Sequence, residues 1–229
     1  MRQNSKIIDR RQQVMIRAGL WCGVAAPILW ATVIIVAGEL RPGFDHVGQY
    51  ISELGERGSS HSAFMRLAGF AATGLMHICY AVAFYAAVRR MSGRTRLALL
   101  VAVLVALDGA GRIGAGLFSC EPGCRGPDTA AQHLHHLSAT VAFLSIASAA
   151  CLGGILFRSS QRLRCLALYS LISGLAGLAF LGLMQTGGAF HAYVGLFERL
   201  ASGVFTLWVS ITALRLSAVS VRAAGAPPG

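Results

Sequence analysis

Residues 97–118 read LALLVAVLVALDGAGRIGAGLF, an apolar run that contains only two charged side chains, Asp108 and Arg112. About 18 or more such residues in succession are long enough for a helix to cross the hydrocarbon core of a bilayer. A membrane β-strand would instead alternate polar and apolar residues, and this run does not alternate. The stretch therefore predicts a transmembrane α-helix.

Five further blocks of the same kind lie along the 229-residue chain, which is 55% hydrophobic and only 13% charged. Soluble domains normally carry about a quarter charged residues. The predicted spans are residues 18–38, 67–88, 97–118, 137–157, 165–185 and 197–216. They predict an all-α integral membrane protein, a six-transmembrane-helix bundle that forms one domain over residues 18–217. A basic cytoplasmic tail, residues 1–17, precedes this domain, and a disordered cytoplasmic tail, residues 218–229, follows it.

The lysines and arginines are distributed unevenly between the two sides of such a bundle. Fourteen lie in the two tails and in the second and fourth connections, whereas five lie in the other connections. Because the cytoplasmic side of a membrane protein carries the excess of lysine and arginine, both termini are expected in the cytoplasm. The expected location is the cytoplasmic (inner or plasma) membrane, crossed several times. Since the basic residues sit in short clusters between apolar blocks, the net charge of +11 does not indicate nucleic acid as a partner.

The lipid bilayer is the expected partner of the helices, and a lipid or another amphiphile is the expected kind of ligand. Small residues in the third and fifth blocks, among them Gly114 and Gly174, favour close contacts between helices of one bundle. A homo-oligomer interface is the alternative explanation for these small residues, and nothing else in the sequence indicates one.

The outer connections hold six of the seven histidines and one pair of cysteines. Cys120 and Cys124 flank Glu-Pro-Gly, a turn that can bring two sulfurs together, and a disulfide is expected on the oxidising side of a membrane. A zinc or other transition-metal site is one alternative, because thiolates and imidazoles make tetrahedral zinc sites, and two unpaired thiols are the other. His133 and His136 are three residues apart, so they share a helix face and one metal could use both. His135 points elsewhere and is a weaker candidate.

Three polar residues fall inside the predicted spans. Asp108 and Arg112 are one helical turn apart and can pair, and His77 lies at the same depth in the second block. Charged groups at that depth normally face a bundle interior or a water-filled cavity. A structural ion pair between the second and third helices and a ligand, ion or proton site both remain open. Haem is not expected, because His77 has no histidine partner in the middle of the membrane.

These residues together predict an aqueous funnel that opens on the extracytoplasmic face, with Asp108 and Arg112 at its floor. The first outer connection is expected to add a short interfacial helix over residues 47–54. Carboxylates and imidazoles that converge in a pocket of low dielectric suit acid–base or metal-assisted chemistry. The candidate catalytic residues are Glu53, Asp108 and His136. The candidate ligand-binding residues are Ser52, Arg57, His61, His77, Arg112, His191, Glu198 and Arg199.

Several stretches of the chain resemble one known family. They are YISELGERGSSH at 50–61, DGAGRIGAGLFSCEPGC at 108–124, HLHH at 133–136 and GLFERL at 195–200. Over residues 18–214 the chain resembles the bacterial and archaeal membrane family labelled domain of unknown function 998. The resemblance implies a six-helix integral membrane protein and brings no activity with it. It places the family's motif on Ser52, Glu53, Asp108, Cys120, Cys124, His136 and Arg199.

Three kinds of function remain compatible with the sequence, which leaves open whether the protein is an enzyme. The first is an enzyme that acts on a membrane lipid or a lipid-linked small molecule at the outer face. The second is a binding, sensing or transport protein that uses the same pocket without turnover, although no inverted repeat supports transport. The third is a protein whose loops dock a membrane partner.

Overall fold

The computed structural model of the chain describes residues 2–125 and 127–224, and these residues form helices and connections without a β-strand. Six of the helices are long and apolar enough to cross a membrane. They are α1 (Arg2–Glu39), α2 (Ser62–Ser92), α3 (Thr95–Leu117), α4 (Ala130–Arg158), α5 (Cys165–Gln185) and α6 (Val194–Ala224). The predicted all-α, six-helix membrane bundle is confirmed.

Five of the six helices extend beyond the predicted spans, and two of them reach into the predicted tails. α1 begins at Arg2, within the predicted tail of residues 1–17, and α6 continues to Ala224, beyond the predicted boundary at residue 217. An apolar pattern marks only the part of a helix that lies in lipid, so polar turns at its ends leave no such mark. Residue 1 and residues 225–229, which belong to the two predicted tails, lie outside the described residues, as does Gly126.

The six helices form a closed ring in chain order. Each helix packs against the helices before and after it, and α6 packs against α1. Connections of two residues between α2 and α3 and of six residues between α4 and α5 join neighbours that run in opposite directions. The connections 40–61, 118–129 and 186–193 therefore lie at one end of the ring, here called the polar end. The other end, where α1 begins and α6 ends, is called the basic end.

Aromatic side chains fill the centre of the ring toward the basic end. The largest of these buried rings are Tyr80, Phe84, Phe157, Phe205 and Trp208. Trp208 Nε1 donates a hydrogen bond to Ser170 Oγ over 2.9 Å, and the Tyr80 hydroxyl lies 2.6 Å from Thr212 Oγ1. These bonds satisfy the polar groups of the rings, which find no water in the hydrocarbon core. The basic half of the ring is therefore a packed core.

Glycines set the spacing between α2 and α3. A Cβ added to Gly109 of α3 would lie 2.5 Å from the carbonyl oxygen of Gly74 in α2, and a Cβ on Gly74 would meet the Gly109 carbonyl at the same distance. No side chain fits in that space, so the two backbones approach closely, as small residues allow in membranes. This contact brings α2 and α3 together at the level of His77 and Asp108.

A second cluster of buried side chains lies beneath the first connection at the polar end. The connection contains a 3₁₀ helix, Ile51–Gly55, whose Ile51 and Leu54 are buried in one cluster with Trp30 and Met65. A short helix is present in this connection, as predicted, but it is a 3₁₀ helix over Ile51–Gly55 and begins four residues later than the predicted 47–54. Its apolar side chains pack inward against α1 and α2.

The first turns of α2 contain a π-helical segment, Met65–Ala71. π-Helical turns frequently occur at functional sites. Phe70 of this segment has its ring centroid 5.4 Å from that of Trp30 and 6.4 Å from that of His135. The segment therefore supplies an aromatic ring to the middle of the polar half, between α1 and α4.

Candidate functional site

A buried charge cluster joins α2 and α3. His77 Nδ1 hydrogen-bonds Asp108 Oδ2, and Arg112 Nε donates to Asp108 Oδ1 over 3.1 Å. His77 and Asp108 are each 1% exposed and Arg112 is 6% exposed. The pair that the sequence predicts one turn apart on α3 is present, and His77 adds a partner from the neighbouring helix. Asp108 is thus the shared acceptor of two basic side chains.

Arg112 is held in place from two further helices. Its Cζ lies 4.8 Å from the ring centroid of Trp30 on α1, and Trp30 Nε1 donates to Ser202 Oγ of α6 over 2.8 Å. Such stacking fixes the plane of a guanidinium. The hydrogen bonds that the described residues accept from Arg112 come from Nε alone. Its two terminal nitrogens are therefore free to donate to a ligand.

A cavity of about 550 Å³ lies between this cluster and the polar end. Small-molecule sites typically have volumes of about 300–1,000 Å³. Polar side chains along the cavity include Ser52, Asp108, Arg112, Arg125, His135, His136, Thr140, Gln185 and Glu198. Another side of the cavity is apolar and includes Phe143, Leu144, Leu178, Leu181 and Met184 of α4 and α5. The lining thus combines charged groups with a hydrocarbon surface.

The apolar side of the cavity opens between α4 and α5. Leu144 of α4 is 51% exposed and Leu178 of α5 is 39% exposed, on the outer surface that faces lipid in a bilayer. Farther toward the basic end the same helices pack closely, because a Cβ added to Gly174 would lie 2.9 Å from the Cys151 backbone nitrogen. The opening is therefore confined to the polar half of the two helices.

Glu53, a predicted catalytic residue, is engaged within the first connection. Its Oε2 accepts a hydrogen bond from Gln49 Nε2 over 2.7 Å, and its Oε1 accepts one from the Tyr50 backbone N–H over 2.9 Å. Its backbone carbonyl accepts a further bond from Arg41. The side chain lies outside the cavity lining. Glu53 therefore caps the 3₁₀ helix, as the glutamate of a capping box does.

The first connection is joined to the cysteine loop, defined here as residues 118–129. Glu56 accepts hydrogen bonds from Arg41 Nη2 over 2.7 Å and from the Gly123 backbone N–H over 2.6 Å. The Arg57 backbone N–H donates to Cys120 O over 2.8 Å. Ser52 Oγ reaches the cavity and lies 3.2 Å from Cys124 Sγ. The ISELGER stretch thus positions the loop that borders the cavity.

Cys120 and Cys124 form the predicted disulfide, with their Cα atoms 5.0 Å apart. Gln132 in the first turn of α4 holds the same loop, because its Oε1 accepts from the Glu121 N–H over 2.8 Å and its Nε2 donates to Cys124 O over 2.7 Å. Gln132 Nε2 also donates to His136 Nε2 over 2.7 Å. That bond makes His136 Nε2 an acceptor, so a neutral His136 carries its proton on Nδ1.

A group of potential metal ligands lies beside the disulfide. Both sulfurs and one ring nitrogen of His135 lie within 4.8 Å of one another, and all three residues are buried. His135 Nδ1 donates to the carbonyl oxygens of Phe118 over 2.8 Å and Ala115 over 3.1 Å. Metal-bound histidines commonly donate their other ring N–H in this way. Because thiolates are the metal-binding form of cysteine, this ligand set requires that the disulfide be reduced.

The two histidines predicted as metal ligands lie in different surroundings. His133 has a side chain that is 66% exposed, and its Nε2 lies 2.7 Å from Asp128 Oδ1. His136 lines the cavity and pairs with Gln132. Among the described residues, His135 is the histidine that lies within reach of both sulfurs.

Glu198 of α6 and Arg125 of the cysteine loop border the cavity from the far side of the ring. The Ile51 backbone N–H donates to Glu198 Oε2 over 2.6 Å, and Glu198 is 8% exposed. Arg125 Cζ lies 5.4 Å from the Tyr50 ring centroid, and Arg125 Nη1 donates to His191 Nε2 over 2.6 Å. Glu198 therefore reaches the cavity directly, whereas His191 reaches it only through Arg125.

The remaining predicted ligand-binding residues lie outside the cavity lining. Arg57 and His61 are exposed on the first connection, and Arg57 Nη2 lies 3.6 Å from Glu121 Oε1. Arg199 Nη1 donates to Gln49 O over 2.9 Å and so ties α6 to the first connection. Burial, and secondarily the charge of Arg199, lowers the pKa of His46 in that connection below its ordinary value. These contacts organise the polar end and do not face the cavity.

The site contains residues that are absent from the sequence-based set, among them Trp30, Arg125 and Gln132. Gln132 could have been found from its position four residues before His136, which places both on one helix face. Trp30 is a ring with a polar N–H in the middle of an apolar block, and such groups need a partner when buried. Arg125 follows the cysteine pair, and its sequence context gives no signal that it reaches a cavity.

Neither curated proteins nor solved structures give a match to this chain. A family model described as "Protein of unknown function (DUF998)" matches residues 24–215. The matched region contains every residue named above as lining the cavity, as well as His77 and the disulfide. The chain therefore belongs to the DUF998 family, as its motif stretches indicate.

Proposed function

We propose that the protein binds an amphiphile of the bilayer, a lipid or a lipid-linked small molecule, in the cavity at the polar end. The observation that carries this proposal is the composition of the cavity wall, which has the Arg112 guanidinium on one side and the leucines of α4 and α5 on another. A water-soluble metabolite would leave the apolar side uncovered. An amphiphile would satisfy both sides at once.

Charge and geometry support a site for the ligand headgroup at Arg112. The terminal nitrogens of Arg112 are free to donate, and a guanidinium presents paired N–H groups that match carboxylate and phosphate oxygens. Glu198 and His136 line the same cavity and offer an acceptor and a second polar contact. The hydrocarbon part of the ligand then leaves between Leu144 and Leu178.

The polar end faces the extracytoplasmic side in this proposal. The excess of lysine and arginine at the opposite end supports that orientation. The Cys120–Cys124 disulfide supports it as well, since disulfides persist on the oxidising side of the membrane. The bound amphiphile would therefore come from the outer leaflet of the cytoplasmic membrane.

Filling the cavity mouth tests the proposal without disturbing the charge cluster. A Cβ added to Gly182, which lines the cavity on α5, meets no atom within 4 Å, so a larger side chain fits there. Gly182→Phe should lower the amount of lipid that co-purifies in mild detergent at least tenfold, which corresponds to about 1.4 kcal/mol of binding free energy. Extraction and mass spectrometry of the purified protein measure that amount.

Gly203→Phe is the matched control, because Gly203 on α6 also has open space around its Cβ and lies outside the cavity lining. It should retain the lipid content of the natural protein. Equal lipid content in all three proteins would contradict binding in this cavity. A natural protein that carries no amphiphile at all would favour the docking of a membrane partner instead.

An enzyme that acts on the bound amphiphile is the second candidate. Glu198 and His136, which both line the cavity, favour an enzyme. Among the described residues, the Glu198 carboxylate accepts one hydrogen bond, at Oε2, so its Oε1 is left to act as a base. His136 carries an N–H on Nδ1 and could deliver a proton. Asp108 is less suited to proton transfer, since both of its oxygens already accept hydrogen bonds.

Glu198→Gln separates binding from turnover. The purified protein is incubated in vesicles made from a total lipid extract, and the lipids are followed by mass spectrometry over time. An enzyme should form a product that disappears in Glu198→Gln, with bound amphiphile retained. No product from the natural protein, together with normal binding, would reject the enzyme and keep the binding protein.

A further inference from the structure

A second concavity, about 290 Å³ in volume, lies at the basic end. Turns of α1, α2 and α6 and the connection of residues 159–164 form it. Arg215 Nη2 of α6 donates to Arg162 O over 3.0 Å and so holds that connection against α6. The concavity is separate from the polar-end cavity, since the two share no lining residue.

Three guanidinium groups from three elements converge on this concavity, here called the basic pocket: Arg17, Arg90 and Arg162. None of them takes part in an ion pair among the described residues. Arg90 Nη2 makes a long hydrogen bond of 3.4 Å to Gln12 Oε1, which is neutral. In the sequence, Asp9 is the one acidic residue at this end. Among the described residues, the positive charge of the basic pocket therefore has little compensation.

Apolar side chains lie beside the arginines. Ile16, Met91 and Val219 belong to the same lining, and Val219 is buried. These residues occupy the basic-end turns of membrane-crossing helices, where hydrocarbon gives way to headgroups. The basic pocket thus presents a positive surface at headgroup depth and an apolar surface next to it.

We propose that the basic pocket binds the phosphodiester headgroup of an anionic phospholipid, with the acyl chains on the apolar side. Guanidinium groups bind phosphate oxygens through paired N–H···O bonds. Basic pockets between membrane helices on the cytoplasmic side are suited to anionic headgroups, because the negative lipids of that leaflet supply the missing counter-charge. A free phosphate would use the arginines but leave the apolar surface uncovered. The site is independent of the function proposed for the polar-end cavity.

Two triple variants of the full chain test the proposal after removal of lipid in detergent. The pocket variant combines Arg17→Gln, Arg90→Gln and Arg162→Gln, all at exposed positions whose loss leaves the helix core intact. The control variant combines Arg94→Gln, Arg96→Gln and Arg158→Gln, which removes the same charge from the same end outside the pocket. Phosphatidylglycerol, phosphatidylcholine and inorganic phosphate are the probes, and the shift in thermal unfolding gives an apparent Kd for each.

Phosphatidylglycerol should bind the natural protein and the control variant with the same apparent Kd. It should bind the pocket variant at least tenfold more weakly, and the other two probes should give no comparable shift. Equal weakening in both variants would overturn the proposal, because binding would then follow net charge alone. A shift of the same size from phosphatidylcholine, or from inorganic phosphate, would overturn the assignment to an anionic lipid.

Discussion

Asp108 is a carboxylate that is 1% exposed, and it is the one acceptor shared by His77 and Arg112. A charge buried in a medium of low dielectric is strongly unfavourable unless its partners compensate it. Here the guanidinium of Arg112 and the imidazole of His77 do so from two helices. The three side chains therefore act as a unit, and the loss of Asp108 leaves both His77 and Arg112 without this partner.

Asp108→Ala should destabilise the protein by about 3–5 kcal/mol, because it leaves Arg112 buried without its counter-charge. Combining it with Arg112→Met, which removes the charge but keeps much of the volume over Trp30, should recover at least half of that loss. Thermal unfolding in detergent of the natural protein, both single variants and the double variant measures the coupling. If the loss of stability in the double variant equals the sum of the losses in the two single variants, the two side chains are not coupled.

At the scale of elements, the polar end is held together by contacts between two loops that are far apart in sequence. Glu56 of the first connection reaches both Arg41 and the backbone of Gly123 in the cysteine loop. Gln132 holds the same loop from α4. The ISELG stretch is thus explained by loop packing, with only Ser52 of that stretch on the cavity.

Glu56→Gln should loosen the cysteine loop, because an amide keeps one acceptor but loses the ionic bond to Arg41. We expect the free energy of unfolding to fall by about 1–3 kcal/mol, as is typical when a buried charged group loses its hydrogen-bond partner. Hydrogen exchange of residues 118–129 should become faster, with the exchange of α3 and α4 unchanged. Asp128→Asn is the control, because Asp128 lies in the same loop and is 85% exposed. Unchanged exchange in Glu56→Gln would contradict the role of this contact.

The cysteine loop also predicts how the protein responds to metal. Reduction with a phosphine should free both thiols and allow about one zinc ion per chain to bind, whereas the disulfide form should bind none at this site. His135→Ala should abolish that binding, because His135 lies within reach of both sulfurs. His133→Ala should not. Elemental analysis after desalting measures the zinc content of both variants. Loss of zinc in His133→Ala but not in His135→Ala would instead support His133 and His136, the pair predicted from the sequence.

The helix spacing in the sequence relates residues of one element to each other but not to other elements. It correctly pairs Asp108 with Arg112, because both lie on α3 one turn apart. It cannot say which histidine of HLHH faces the cysteine loop, since that depends on the rotation of α4 against α3. The sequence therefore favours His133 and His136 over His135, although His135 Nδ1 donates to Phe118 O. Helix spacing does not single out Gln132 either, because the backbone groups that it holds belong to the cysteine loop.

At the scale of the whole molecule, the centre of the ring is filled by side chains toward the basic end and contains the cavity toward the polar end. Six apolar blocks predict six crossings, because a helix that crosses lipid needs a long run of residues with little charge. The segments of the chain that form the membrane helices therefore follow from the sequence. The ring order and the cavity do not follow, since they depend on which small residues meet. Gly74 and Gly109, for example, are far apart in the chain and meet only after folding.

The orientation of the ring in the membrane is open to a direct measurement. In a background where Cys22, Cys79, Cys151 and Cys165 are replaced by serine, Ser60→Cys at the polar end should react with an impermeant maleimide on intact cells. Arg94→Cys at the basic end should react only after the membrane is opened. Both positions are exposed. The reverse labelling pattern would contradict termini in the cytoplasm.

The cavity opens laterally, between Leu144 and Leu178. This lateral opening determines the concentration scale on which affinity for the proposed ligand must be expressed. A molecule that enters through this opening arrives from the hydrocarbon phase, so the quantity that governs occupancy is its mole fraction among the surrounding lipids. Its aqueous concentration does not enter the equilibrium. Diluting proteoliposomes in buffer should leave the cavity occupied, whereas fusing them with vesicles that lack the ligand should empty it. For this protein, a binding constant is therefore expressed against the mole fraction of the ligand in the bilayer and not against its concentration in solution.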